Sequence, residues 1–125
     1  MHKVLIVDDQ SNIRRMIHIA LSDDFLLFEA ADGLTALEII RSEMPDVVLL
    51  DVMLPGGLDG LQVLEMIRQD PELKHLRVIM VSAKGQVHDY EKGMNSGANA
   101  YFVKPFSPFQ LLLAIKEQID AAKSL

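Results

Sequence analysis

Five short apolar runs alternate along this chain with longer segments in which apolar residues recur every three or four positions. Val4-Leu5-Ile6-Val7 is apolar at every position, as expected of a strand covered on both faces. From Ser11, the residues Ile13, Met16, Ile17, Ala20 and Leu21 make the stripe of an amphipathic helix. Phe25 to Glu29 reads as a weaker second strand. Asp32-Gly33 opens a helix carrying Ala36, Leu37, Ile40 and Met44, stopped by Pro45. Val47 to Leu50 is a third strand ending at Asp51. Asp59 is the expected N-cap of a helix with Leu61, Leu64 and Ile67 facing inward. Val78 to Val81 forms a fourth strand ending at Ser82, and a helix with Val87, Tyr90 and Met94 closes at Gly97. Ala100 to Val103 is a fifth strand ending at Lys104-Pro105. A last helix from about Ser107 carries Phe109, Leu112, Leu113, Lys116 and Ile119 at helical spacing.

Five strands, each followed by a helix, predict an α/β fold with a parallel sheet covered on both faces. Crossovers are right-handed, so the winding must reverse once to cover both sides, and ligands bind beyond the carboxyl ends of the strands at that reversal. The 125 residues are used up by these five units, which predicts a single domain over residues 1–125 with no output domain in this chain.

Composition narrows the chemistry. There is no cysteine, so disulfides, thiol nucleophiles, iron–sulfur clusters and Cys-based zinc sites are excluded. No apolar run approaches the ~18 residues of a membrane span, and the N-terminus does not resemble a signal peptide. A soluble, cytoplasmic domain is expected. With 18 acids against 12 bases, the net charge of −6 argues against direct nucleic-acid binding. The histidines His2, His18, His75 and His88 have no metal-ligand spacing and read as surface residues.

Four strands end in residues with chemical potential: Asp8-Asp9, Asp51, Ser82 and Lys104. In a parallel sheet these ends share one edge, so Asp8, Asp9 and Asp51 converge if the first and third strands are neighbours. Two carboxylates ~4 Å apart repel by about 4 kcal/mol at an effective dielectric of 20. Three such acids need protons or a cation, and hard oxygen ligands suit Mg²⁺. Acids also cap strand ends and helix N-termini without any ligand, but that does not account for the whole set. Spacing alone does not separate phosphoryl transfer from other Mg²⁺ chemistry.

The chain resembles the receiver domain of two-component response regulators, the CheY-like family, over essentially its whole length. The matching segments are Val4 to Asp9, Val48 to Pro55, Asp59-Gly60, Val81-Ser82-Ala83, Gly97-Ala98 and Tyr101 to Phe106. The resemblance implies a three-layer flavodoxin-like (βα)5 fold with strand order 2-1-3-4-5. It implies that Asp51 takes a phosphoryl group from a histidine kinase or histidine phosphotransfer protein. Asp9, Asp51 and the Met53 backbone carbonyl would bind Mg²⁺, with Asp8 acting mainly through water. Lys104 would pair with the phosphoryl oxygens and the Ser82 hydroxyl would hydrogen-bond them. Tyr101 is either the switch aromatic that turns inward or a plain half-buried core residue. Lys104-Pro105 is expected to be cis, a kinked trans bond being the alternative. The signal would leave through the face of the fourth helix, fifth strand and fifth helix, to a downstream protein or a missing output domain. Self-phosphorylation and slow autodephosphorylation would be its only chemistry, so it is not a conventional enzyme.

Three departures stand out. Pro55-Gly56-Gly57-Leu58-Asp59-Gly60 is one residue longer than the commoner loop, and its two glycines make it mobile. Met53 and Lys84, two residues beyond Asp51 and Ser82, offer no carboxylate or amide to orient water, which predicts a long-lived phosphoryl group. Asn99-Ala100-Tyr101 and the last helix's Gln110, Ala114 and Lys116 lack the charged network of receivers that dimerise, which predicts a monomer or weak dimer. A haloacid-dehalogenase-type enzyme would place a second Asp two residues after its nucleophile, and Asp8-Asp9-Gln10 does not. A pseudo-receiver is disfavoured by the intact Asp8, Asp9, Asp51, Ser82 and Lys104.

Overall fold

The computed structural model describes residues 1–83 and 87–123, with the side chains of 87–89 left out. Ten elements alternate in chain order: β1 Lys3–Val7, α1 Ser11–Leu21, β2 Leu26–Ala30, α2 Gly33–Glu43, β3 Val47–Asp51, α3 Gly60–Gln69, β4 Arg77–Ser82, α4 Val87–Asn95, β5 Ala100–Val103 and α5 Pro108–Lys123. The strands form one parallel sheet in the order β2-β1-β3-β4-β5. The winding reverses between β1 and β3, as the element pattern predicts.

Side chains alternate across the central strands and fill two cores. Val4 and Ile6 of β1, Val47 and Leu49 of β3, and Ile79 of β4 face α1 and α5, meeting Ile17, Leu21, Leu111, Ile115 and Ile119. Leu5, Val7, Val48, Leu50, Val78 and Met80 point to the other face, against Ala36, Leu37 and Ile40 of α2 and Val63, Leu64 and Ile67 of α3. Both faces are buried, and this is why the strands read as unbroken apolar runs.

Helix starts follow the side-chain chemistry. Asp59 accepts from the Gln62 N–H while the Gln62 side chain accepts from the Asp59 N–H, a full capping box. Asp32 caps α2 through the Thr35 N–H, and that hydrogen bond holds its carboxyl below the usual range. Gly97 ends α4 at φ +104°, with the Ala98 N–H reaching back to the Gly93 carbonyl.

Several expected inward positions differ from the pattern. In α5 the buried stripe is Leu111, Ile115 and Ile119, whereas Phe109 is 65 % exposed and Leu113 and Lys116 are also outside. The run Leu111 to Ile115 is apolar nearly all round the helix, so its pattern does not single out one face. In α3, Val63 is buried and Leu61 only half so. Phe25 is core, but β2 begins one residue after it. Met16 and Met44 are exposed, Met44 because it sits past the end of α2 at φ 49°. His75 is exposed and His2 and His18 are partly so; His88 lies outside the described side chains.

Candidate functional site

The register of the sheet brings the acids together. Val7 pairs with Leu50, so Asp8 and Asp51 follow side by side from β1 and β3. The Asp8 N–H donates to the Ala30 carbonyl at 3.1 Å, and the Val52 N–H donates to Val81 at 2.9 Å, holding both strand ends against their neighbours. The Lys104 N–H donates to the Ser82 carbonyl at 2.8 Å, and the Lys104–Pro105 bond is cis.

The two buried carboxylates are held alike. Asp51 Oδ1 accepts from the Met53 N–H at 3.0 Å, and Asp8 Oδ1 accepts from the Gln10 N–H at 2.9 Å. Their other oxygens share one cation: Lys104 Nζ lies 2.8 Å from Asp51 Oδ2 and 2.9 Å from Asp8 Oδ2. Asp8 is 3 % exposed and Asp51 5 %. Burial pushes the Asp51 carboxyl up to about 6; the Lys104 hydrogen bond opposes this, and the Asp8 charge adds to it. Burial works against the Lys104 ammonium as well, but the Asp51 and Asp8 hydrogen bonds outweigh it and hold its pKa above the usual lysine value.

Asp9 is exposed, and one carboxylate oxygen from each of Asp8, Asp9 and Asp51 lies within 4.8 Å of the others. A cavity of about 300 Å³ opens beside them, lined by Asp9, Gln10, Asp51, Met53, Ala83 and Lys104. Three hard oxygen donors beside a small open cavity match a hydrated divalent cation such as Mg²⁺. Helix α3 comes very close here: a Cβ on Gly60 would collide with the Asp51 carbonyl, so only glycine lets the helix start at this point.

Of the predicted site residues, Asp8, Asp9, Asp51 and Lys104 converge, and Met53 borders the cavity and is 59 % exposed. Ser82 is buried at the end of β4, one strand over, and Ala83 is the residue that borders the cavity. Tyr101 is half-buried and packs edge-on against Tyr90 of α4, ring centroids 5.2 Å apart. Lys84 lies outside the described residues. The loop after Asp51 turns through Gly56 and Gly57 at φ +87° and +91°, conformations that favour glycine. Sequence reasoning missed Arg14, whose Nη1 donates to the Asp8 carbonyl at 2.7 Å. Its one signal is a cation in the first turns of a helix, where the dipole disfavours one.

The response regulator receiver domain family matches residues 4–116. The chain belongs to that family. It is 44 % identical over 115 residues to the "Probable transcriptional regulator ycf27" of Guillardia theta, covering 91 % of this chain and 44 % of that one. It is 36 % identical over 115 residues to the phosphate regulon transcriptional regulatory protein PhoB of Escherichia coli K12, covering 91 % of this chain and 50 % of PhoB. The crystal structure of a CheY-like response regulator receiver domain protein from Methanospirillum hungatei superimposes with a TM-score of 0.90 at 29 % identity, covering 99 % and 98 % of the two chains. The receiver therefore has the flavodoxin-like (βα)5 fold of CheY-like proteins, and it spans about half the length of the curated relatives it matches. Receivers are signalling domains rather than conventional enzymes. No described helix is long and apolar enough to cross a membrane.

Proposed function

We propose that this receiver accepts a phosphoryl group on Asp51 from a histidine kinase or histidine phosphotransfer protein, and that the phosphorylated form changes what binds its surface. The observation that carries this reading is the Lys104 ammonium bridging Asp51 and Asp8 beside an open cavity. An Asp51 oxygen attacks the phosphorus of a phosphohistidine; the P–O bond forms as the P–N bond breaks, and the imidazole leaves. A carboxyl at about 6 is largely ionised at neutral pH, so the nucleophile is available. The acyl phosphate brings about two negative charges into an acidic cluster. Lys104 transfers its hydrogen bond from Asp51 Oδ2 to the phosphoryl oxygens and offsets part of that charge.

Asp9, Asp51 and the Met53 carbonyl would hold Mg²⁺, with Asp8 acting through water; the ion supplies the rest of the positive charge that phosphoryl transfer requires. The Ser82 hydroxyl hydrogen-bonds the phosphoryl group, and Tyr101 follows it inward. The apolar Met53 side chain and Lys84 orient no water, which favours a persistent phosphoryl group.

The output face is α4, β5 and α5, where Tyr90, Met94, Val103, Phe109 and Leu113 are exposed. A downstream protein or an output domain beyond this segment reads it, without direct nucleic-acid contact by the acidic receiver and in the cytoplasm. Lys116, on α5, pairs with Asp24 at 3.5 Å, and Asn99 is occupied by Arg68. With a neutral Asn99 and a Lys116 already beside Asp24, this face has little with which to build a charged dimer contact, which favours a monomer or weak dimer.

Acetyl phosphate with Mg²⁺, followed by intact-mass spectrometry, tests the reading. One phosphoryl mass is expected on the wild type and none on Asp51→Asn. An adduct that survives this substitution, or none on the wild type, overturns it.

A further inference from the structure

Arg14 occupies an unfavourable place for a helix cation. It lies just inside the start of α1, whose first turn has no acid and whose Gln10 N-cap makes no side-chain cap bond. Its side chain is only 19 % exposed, and two of its nitrogens donate to groups of the protein. Nη1 donates to the Asp8 carbonyl at 2.7 Å and Nε to Glu29 Oε1 at 3.1 Å, while the other Glu29 oxygen lies 3.0 Å from His18 Nδ1.

We propose that Arg14 is a positioning residue for the acidic site, acting through the peptide that joins Asp8 to Asp9. This rests on the reading that the acids hold Mg²⁺. The Asp8 N–H is held by Ala30 and its side chain by Gln10 and Lys104. Its carbonyl, beyond the last β1 pairing, is held by Arg14. With that carbonyl fixed, the peptide plane is fixed, and the exposed Asp9 is carried into place beside Asp8 and Asp51. Groups that orient metal ligands from behind typically contribute 10- to 100-fold in affinity. Charge acts in the opposite direction, since a cation near the site repels Mg²⁺. Glu29 offsets much of that charge, leaving orientation as the larger effect.

The two effects differ in sign, so calorimetric titration of Mg²⁺ into the unphosphorylated receiver separates them. Arg14→Ala is expected to weaken binding about tenfold. Arg14→Lys keeps the charge but cannot grip both acceptors, and is expected to weaken binding too. Arg15→Ala, on the exposed side of α1, should bind as the wild type does. Unchanged or tighter binding by Arg14→Ala overturns the proposal, as does wild-type affinity in Arg14→Lys should the alanine variant not fold. An Asp9→Asn variant binding as tightly as wild type, or a wild type that binds no Mg²⁺, removes the metal reading itself and the proposal with it.

Discussion

The two edges of the sheet each hold a partly buried cation, and the two cations do different work. At the carboxyl edge, Lys104 sits between two carboxylates, its pKa raised by them against the cost of burial. At the amino edge, Arg68 of α3 meets neutral oxygens: Nε donates to the Gly97 carbonyl at 2.8 Å, Nη1 to Lys74 and Leu76 at 3.0 and 2.7 Å, and Nη2 to Asn99 Oδ1 at 2.8 Å. Burial, with Arg77 nearby, lowers its pKa. A cation shared by acids can be redirected when a new anion or a metal arrives. A guanidinium donating to four fixed oxygens cannot move without giving up all four bonds at once, two of them to the part-buried Gly97 and Leu76 carbonyls. The first arrangement suits a site that changes state. The second ties α3, the approach to β4 and the end of α4 into one rigid corner.

Arg68→Ala should therefore have the largest effect on stability, about 4 kcal/mol, because it strips partners from several partly buried acceptors at once. Urea unfolding at neutral pH reads this as a lower midpoint with an unchanged slope. A loss under about 1 kcal/mol would show that the corner is solvated rather than locked.

The next largest effect concerns the carboxyl edge. Asp51, at about 6 in the fold against about 3.9 unfolded, binds its proton more tightly when folded. Its contribution is thus most favourable below pH 4 and is lost as pH rises through 6. In metal-free buffer at pH 8, Asp51→Asn should be more stable than wild type by up to about 3 kcal/mol, and the gap should close toward pH 4. Adding Mg²⁺ should narrow it from the other side by stabilising the wild type. A gap that does not vary with pH would mean that Lys104 already cancels the cost of the buried acid.

The smallest change is Asn99→Ala. Asn99 Oδ1 accepts from both Arg68 and the Val78 N–H, the latter at 2.8 Å. Its loss should cost about 1–2 kcal/mol and expose the Val78 amide to faster hydrogen exchange, while leaving the pH dependence set by Asp51 unaltered. If that pH dependence changes, the two edges are coupled and the comparison fails.

Much of this was legible along the chain. The strands fall within a residue or two of the apolar runs, because strands buried on both faces leave a continuous apolar signature. Asp32 and Asp59 announced their helices, because a capping side chain bonds the backbone only two or three residues away. Asp8, Asp9, Asp51 and Lys104 were recognisable as a group, because a parallel sheet brings every strand's carboxyl end to one edge. The buried face of α5 was not legible, since an apolar stretch wider than the core it covers leaves the choice to packing against β1, β3 and β4.

The sequence by itself determined the order of elements, the two-sided burial of the sheet and the acids at its carboxyl edge, all consequences of short-range periodicity. Only the tertiary structure decided where the long cations go. Arg14 reaches back to Asp8, and Arg68 spans 29 and 31 residues to Gly97 and Asn99. Apart from the Glu29 carboxylate beside Arg14, the acceptors are main-chain carbonyls or a single amide oxygen. Every residue carries a carbonyl, so no pattern of residue types marks which one a guanidinium will find.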